Sequence, residues 1–474
     1  MNTQLFSDSQ FEQLADDVRR VLAEVGYVVG HEGLRKMALA AGCGESAEGR
    51  ILFRGHQVAE LRDRLREQYP PPAPDAPEAV LIRPREQLRA GIGNITPKLY
   101  DHQTGLAQGG ALKGLTDVVK FAQMEPRVVS VGIPLSRQDI DPAVEQLDTI
   151  VVMAELTDKP ISGLDPTVPE TMPYLLEMGE ALGHTAQSFI SPCNCINPPL
   201  RLEARTVDVM LARRVFHGKQ MMTTMTNIGG TGPVDVYGSV VLATAEIVGG
   251  LILAMVLDPD APLMGYTATT QLDMRTGNIT ESSPQTVQVD AGVVQLMDRY
   301  FGGGTAVGGR GYITARRPGL QALFERFLKA VGYAGLVDGH ALHYVGNGNL
   351  DNGSMLSVEQ YLLDLEVSEA LGRLWGAPSV PAAGDAVERI REGVLAAGGN
   401  FLAREHTLSH FRDELWDPTY FQRLTDTKTE QTIVNEAHAR YRALVDAYEP
   451  TSYPDEVLME LRAVLDRARR ALVG

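Results

Sequence analysis

Apolar residues recur at helical spacing from the start of the chain: Phe11, Leu14, Val18 and Leu22 within 8–24, then Leu34, Met37 and Leu39 within 31–41. A third helix is predicted at 56–68. The stretch Tyr69-Pro70-Pro71-Pro72-Ala73-Pro74-Asp75-Ala76-Pro77 is stiff and poor in amide donors, so it reads as a connection. Residues 1–76 are therefore expected to form an N-terminal helical cap and linker.

Beyond the linker the period changes. Short strand-like runs are predicted at 88–96, 128–134, 160–165, 187–193, 220–226, 262–268, 304–308 and 339–345, alternating with helix-like runs such as 143–157, 203–215, 236–257, 318–331 and 356–374. Eight such units predict an α/β chain with a (β/α)8 TIM barrel over 77–380, its helices outside a closed parallel sheet. Ser357-Val358-Glu359-Gln360 reads as a capping box at the start of the last of these helices. The stretches 384–397, 428–447 and 454–472 look helical with one charged side, and 381–474 is expected to be a C-terminal helical extension packed on the barrel. No repeat at a fixed period suggests a solenoid.

Length allows two or three average domains, but barrels of this kind often exceed 250 residues as one unit. A hydrophobic fraction of 44% and a charged fraction of 22% are those of a globular chain. A net charge of −17 argues against nucleic acid or an anionic membrane as partner. The N-terminus shows no basic region leading into an apolar stretch, so a cytoplasmic protein is expected. The most apolar run, Val240 to Leu257, is interrupted by Glu246 and reads as a buried helix. Cys43, Cys193 and Cys195 give no disulfide framework, which suits a reducing compartment.

In a barrel of this type the loops after the strand C-termini carry the chemistry. That rule selects Tyr100 and Asp101, Asp165, Ser191 to Asn194, Asn227, Tyr266, Asp273-Met274-Arg275, Arg310, Tyr312, His343, Tyr344, Asn347 and Asn349. Of these, Tyr100, Asp101, Asn227, Tyr266, Arg310, Tyr312, His343, Tyr344, Asn347 and Asn349 form the expected substrate-binding set, with no catalytic role beyond substrate positioning. The motifs HExxH, GxSxG and GxxxxGK[ST] are absent, and so is a rim cluster of carboxylates or an evident buried lysine, which disfavours hydrolysis and aldolase or lyase chemistry. Tyr100, Tyr266, Tyr312 and Tyr344 could form a box for a quaternary ammonium, because ring faces attract a diffuse cation that donates no hydrogen bond. His343, Asn347, Asn349 or Arg310 could anchor the polar end. A tyrosine at a strand end is as readily a packing residue, and a lone histidine in a strand a satisfied core one. Cys193-Asn194-Cys195 lacks a second pair, so no metal site is expected. Glycine-rich Phe301 to Gly311 does not match a dinucleotide fingerprint, and close backbone approach explains it better.

Several stretches resemble the trimethylamine methyltransferase family. They are Asn227-Ile228-Gly229-Gly230-Thr231-Gly232-Pro233-Val234, Ala243-Thr244-Ala245-Glu246, Asp273-Met274-Arg275-Thr276-Gly277, Ser282-Ser283-Pro284, Leu320-Gln321-Ala322, Leu350-Asp351-Asn352-Gly353-Ser354-Met355-Leu356-Ser357 and Leu363-Asp364-Leu365-Glu366. Asp101-His102-Gln103-Thr104-Gly105, Ser191-Pro192 and Glu405 to Arg412 also fit, so the resemblance covers most of the chain. It implies a (β/α)8 barrel whose mouth receives a cognate corrinoid protein, with methyl transfer to a Co(I) corrinoid (cobalamin) supplied by that partner. No tightly bound cofactor is then expected, and a homo-oligomer is.

Trimethylamine-specific members carry pyrrolysine just before the segment that Leu350-Asp351-Asn352-Gly353 resembles. Here every residue is ordinary, with Gly348 or Asn349 at that place. A quaternary ammonium needs no such activation, since it already carries its charge and leaves as a neutral amine. The resemblance to pyrrolysine-lacking members therefore points to glycine betaine as substrate, with proline betaine, carnitine, choline or a non-catalytic betaine-binding barrel as alternatives. Ile313-Thr314-Ala315-Arg316, Gly319 and Gln285 depart from the family pattern.

Overall fold

The structure is a computed structural model that describes residues 3–70, 88–161, 163–337, 346–375, 385–395, 399–422 and 428–474; of Arg310 and Trp375 it describes the backbone. Three helices come first: α1 (Asp8–Arg20), α2 (Glu32–Ala40) and α3 (Gly55–Gln68). Ser7 and Gln10 form a reciprocal capping box that fixes where α1 begins.

Parallel pairings follow in chain order, in a two-stranded and a four-stranded sheet linked by isolated bridges. Strand β1 (Ala90–Ile92) pairs with β2 (Val128–Val131), and Val131 then bridges Ile161. Leu164 bridges Ile190, β3 (Cys193–Cys195) pairs with β4 (Gln220–Thr224), β4 with β5 (Leu263–Thr267), and β5 with β6 (Thr305–Val307). All of these pairings are parallel. The connections carry α4 (Leu112–Met124), α5 (Glu145–Ala154), α6 (Met172–Ala181), α7 (Ala204–Arg213), α8 (Val236–Leu257) and α9 (Pro284–Leu296). After β6 come α10 (Leu320–Leu336), α11 (Val358–Trp375), α12 (Asp385–Leu395), α13 (Glu405–Glu414), α14 (Glu430–Asp446) and α15 (Asp455–Leu472). The chain is thus α/β, and seven of the eight predicted strand positions carry parallel pairing. The eighth, 339–345, lies outside the described residues, as do His343 and Tyr344 on it.

Helix α8 is long and apolar enough to cross a membrane, yet 89% of its most apolar window is buried inside the fold, so it is a core helix. Asp235 caps its N-terminus by accepting from the Gly238 amide. The first three helices wrap it: Phe11, Leu14, Leu22, Tyr27 and Phe53 share one apolar cluster with Val240, Ile247, Leu251 and Leu257. The Tyr27 hydroxyl donates to the Glu246 carbonyl at 2.6 Å, and a Cβ at Gly249 would stand 2.8 Å from the Tyr27 ring, so only glycine admits that contact. Glu246 itself is fully buried and accepts from the Thr224 and Thr226 hydroxyls and, at 2.9 Å, from the Leu200 amide. Those bonds satisfy a carboxyl whose burial pushes its pKa up.

A second cluster joins α4, α5 and α11 to the C-terminal helices through Phe121, Leu147, Tyr361, Tyr441, Leu461 and Leu465. Ser357 caps α11 by accepting from the Gln360 amide at 3.2 Å, but the expected box is not reciprocal. The Gln360 carboxamide instead accepts from the Gly319 amide and donates to Asp364, because both are buried polar groups that need it more than the cap does.

Candidate active site at the strand ends

The side chains of β4 and β5 divide by alternation. Gln220, Met222 and Thr224 face the helices: Gln220 bonds Asn194, Met222 lies against Gly250, and Thr224 bonds Glu246. On β5, Thr267 likewise donates to Asp290 of α9. Tyr266, one residue earlier, therefore points to the other side, where its hydroxyl donates to the Gly308 carbonyl at 3.4 Å. A Cβ at Gly308 would fall 2.2 Å from the Tyr266 ring, so the glycine-rich run after β6 is explained by close approach to an aromatic ring.

Tyr312 sits after the same run and pairs with the Asn94 carboxamide, accepting from Nδ2 at 3.3 Å and lying 3.4 Å from Oδ1. That contact joins the loop after β6 to the end of β1. Burial, with smaller contributions from Glu281, Tyr266 and Cys193, pushes the Tyr312 hydroxyl up to about 12. These four side chains thus share one electrostatic neighbourhood. Gly353 lies against the Tyr312 ring, and Asn347 lies against Gly311. Cys193 Sγ is 3.3 Å from Thr223 Oγ1, while Ser191 bonds the Asp165 carboxyl.

Behind this surface stand charges that the sequence reading did not single out. Glu325 accepts from the amides of Thr314 and Ala315. Arg326 pairs with Asp364 and donates to the carbonyls of Gly311 and Asn349, and Lys329 donates to those of Gly309 and Tyr312. The loop carrying Tyr312 is therefore held from below by buried side chains of α10. Buried oxygens or nitrogens of Asn227, Gln271, Glu281, Ser282, Asn347 and Asn349 have no hydrogen-bond partner among the described residues. Buried polar groups are nearly always paired, which makes these strand-end residues the candidate site.

The structure brings Tyr266, Tyr312 and Asn347 to this surface and sets Asn349, fully buried, beside the Arg326 anchor. Asn227 opens a short strand, Asn227–Ile228, paired with Thr270–Leu272. Tyr100 and Asp101 lie in a hairpin of Lys98–Asp101 with Leu106–Gly109. The Asp101 carboxylate is spent there on Thr104 and Gln108, and Tyr100 packs against the Ile313, Ala315 and Met355 cluster. Arg310 lies in the turn Gly309–Gly311, its side chain outside the described atoms.

A model of the trimethylamine methyltransferase (MTTB) family matches residues 1–473. The chain belongs to that family. It is 22% identical over 479 residues to the glycine betaine methyltransferase of Desulfitobacterium hafniense (strain Y51), covering 97% of this chain and 96% of the relative. It is also 22% identical over 362 residues to the trimethylamine methyltransferase MttB of Desulfitobacterium hafniense (strain DSM 10664 / DCB-2), covering 75% and 71%. The solved monomethylamine methyltransferase MtmB of Methanosarcina barkeri aligns at 10% identity with a TM-score of 0.41 over 92% of each chain. As a member of the trimethylamine methyltransferase family, the protein is a methyltransferase.

Within this family member, Glu281 offers a pH test. Burial raises its carboxyl from the ordinary 4.5 to about 7 against the opposing pull of Lys329. A raised folded pKa means that the folded state holds the proton more tightly, so this contribution to stability is complete below pH 4.5 and lost as pH rises through 7. Glu281→Gln imitates the protonated form. Urea unfolding at pH 4.5 and pH 8 should therefore show the variant gaining on the wild type at the higher pH; a difference independent of pH would refute the assignment.

Proposed function

We propose that the strand-end surface binds a quaternary amine, glycine betaine foremost, and directs one methyl group to the reduced cobalt of a corrinoid presented by a partner protein docked at the mouth. The observation that carries this reading is the pairing of two rings, Tyr266 and Tyr312, with nearby buried polar groups that have no partner among the described residues. The ring faces suit a methylated cation that cannot donate a hydrogen bond. The amides of Asn94, Asn347 and Asn349 suit the carboxylate, as donors to a charged acceptor. The uninterrupted order of parallel pairings supports closure of the sheet into a (β/α)8 barrel, with the first three helices as its cap and the last helices as its extension.

The acceptor corrinoid is a substrate here and supplies the electron pair for the new carbon–cobalt bond. The carbon–nitrogen bond breaks with its electrons on nitrogen, so the leaving tertiary amine is neutral and requires no proton. The protein's task is then to hold the ammonium, orient one methyl outward and exclude water, which is catalysis by positioning. This suits a site with no general acid assigned.

Calorimetry on the protein alone, with glycine betaine beside trimethylamine, choline, carnitine and proline betaine, tests the substrate class. Selective binding of glycine betaine, followed by methylation of Co(I) in the presence of a corrinoid protein, is the expected result. Selective binding of another quaternary amine would change the substrate and keep the chemistry. Binding without methyl transfer would make the site a betaine receptor, and no binding by any of the five would remove the ammonium site.

A further inference from the structure

Away from this surface, three side chains from distant stretches of the chain converge. His102 lies in the turn of the hairpin that holds Tyr100, Glu359 in the first turn of α11, and His438 in α14. His438 Nδ1 stands 2.7 Å from Glu359 Oε1, and the two imidazole rings stack with centroids 4.0 Å apart and planes 10° from parallel. One ligand atom from each of the three residues lies within 4.8 Å of the others.

Two features distinguish this trio from a surface ion pair. Glu359 is only 2% exposed, and its second oxygen accepts from the Ser357 hydroxyl at 2.7 Å, which fixes the carboxylate plane. His102 Nδ1 is buried and has no hydrogen-bond partner among the described residues. A proton on His438 accounts for the Glu359 contact but leaves the His102 nitrogen idle, a cost that a buried polar atom seldom bears.

We propose that His102, Glu359 and His438 bind a divalent transition-metal ion, zinc foremost. Two imidazole nitrogens and one carboxylate oxygen are a common three-residue zinc set, with a fourth position for water. The nitrogen donors disfavour calcium and magnesium, which prefer oxygen. Zinc–nitrogen bonds of about 2.0–2.1 Å place tetrahedral donors roughly 3.4 Å apart. Reaching that spacing takes a tilt of the stacked rings, and the ion then takes the place of the proton between His438 and Glu359. The site's role is to fasten α14 and the hairpin to α11. It stands apart from methyl transfer and from the reading of the strand-end surface.

The test uses full-length protein without a histidine tag, stripped with chelator, desalted and titrated with zinc(II) alone. One zinc should be retained per chain after desalting, raising the melting temperature by about 2–5 °C. His102→Gln and His438→Gln should each weaken zinc binding by about a hundredfold or more while leaving the metal-free melting temperature within about 2 °C of the wild type. Zinc retention that survives the double variant, or a wild-type protein whose melting temperature ignores zinc, would overturn the site and leave the trio as a hydrogen-bonded contact.

Discussion

Asp364→Ala should cost about 3–5 kcal/mol of stability, because it strands a guanidinium in the interior. Asp364 and Arg326 have fully buried side chains, 3.1 Å apart at their closest. The aspartate also accepts from the Gly348 amide at 2.9 Å and from Gln360 at 2.7 Å. Replacing both partners by apolar residues of similar size, Arg326→Met with Asp364→Leu, removes the stranded charge and should recover much of the loss. It should not recover all of it, since the Gly348 amide and the carbonyls of Gly311 and Asn349 would lose their partners. Urea unfolding of the two variants measures this directly. A single-variant cost under about 1 kcal/mol would show that the interior solvates the arginine by other means.

The second large effect concerns binding. Each ring over a desolvated cation contributes about 0.5–2 kcal/mol, so Tyr266→Leu combined with Tyr312→Leu should weaken glycine betaine binding by roughly 5–1,000-fold. Tyr312→Phe keeps the ring and loses only the Asn94 hydrogen bond, and its effect should be several-fold smaller. Calorimetric affinities, with melting temperatures to confirm folding, separate the cases. If the double variant binds as tightly as the wild type, the two rings are packing residues.

The fold was legible because its signals are local. Helix α8 has the bounds that the apolar run from 236 to 257 predicts, with Asp235 as its cap. Among the described residues the weakest strand, 160–165, survives as bridges at Ile161 and Leu164, in a stretch crowded with Pro160, Gly163 and Pro166. The candidate site was half legible. The strand-end rule located Tyr266, Tyr312, Asn347 and Asn349 but could not find Asn94 or Glu281, whose surroundings are made by residues far along the chain.

Helix α10 shows why. Leu320, Phe324, Phe327 and Val331 recur at the spacing of a core stripe yet face solvent, while Glu325, Arg326 and Lys329 face inward. Periodicity taken alone assigns that helix the wrong face. The cue lay in three charged residues within five positions, directly after a glycine-rich strand end with bare carbonyls to satisfy.

The packing of α1, α2 and α3 around α8 also sets an order of events during synthesis. The three helices emerge first, but the apolar face they must cover does not exist until the chain has been extended through α8. At a ribosomal rate of about 5–20 residues per second, that leaves them unpartnered for roughly ten to forty seconds. Nascent chains stalled within this interval should aggregate or recruit chaperones, and those released just beyond Leu257 should be the first to protect Phe11 and Tyr27 from proteolysis.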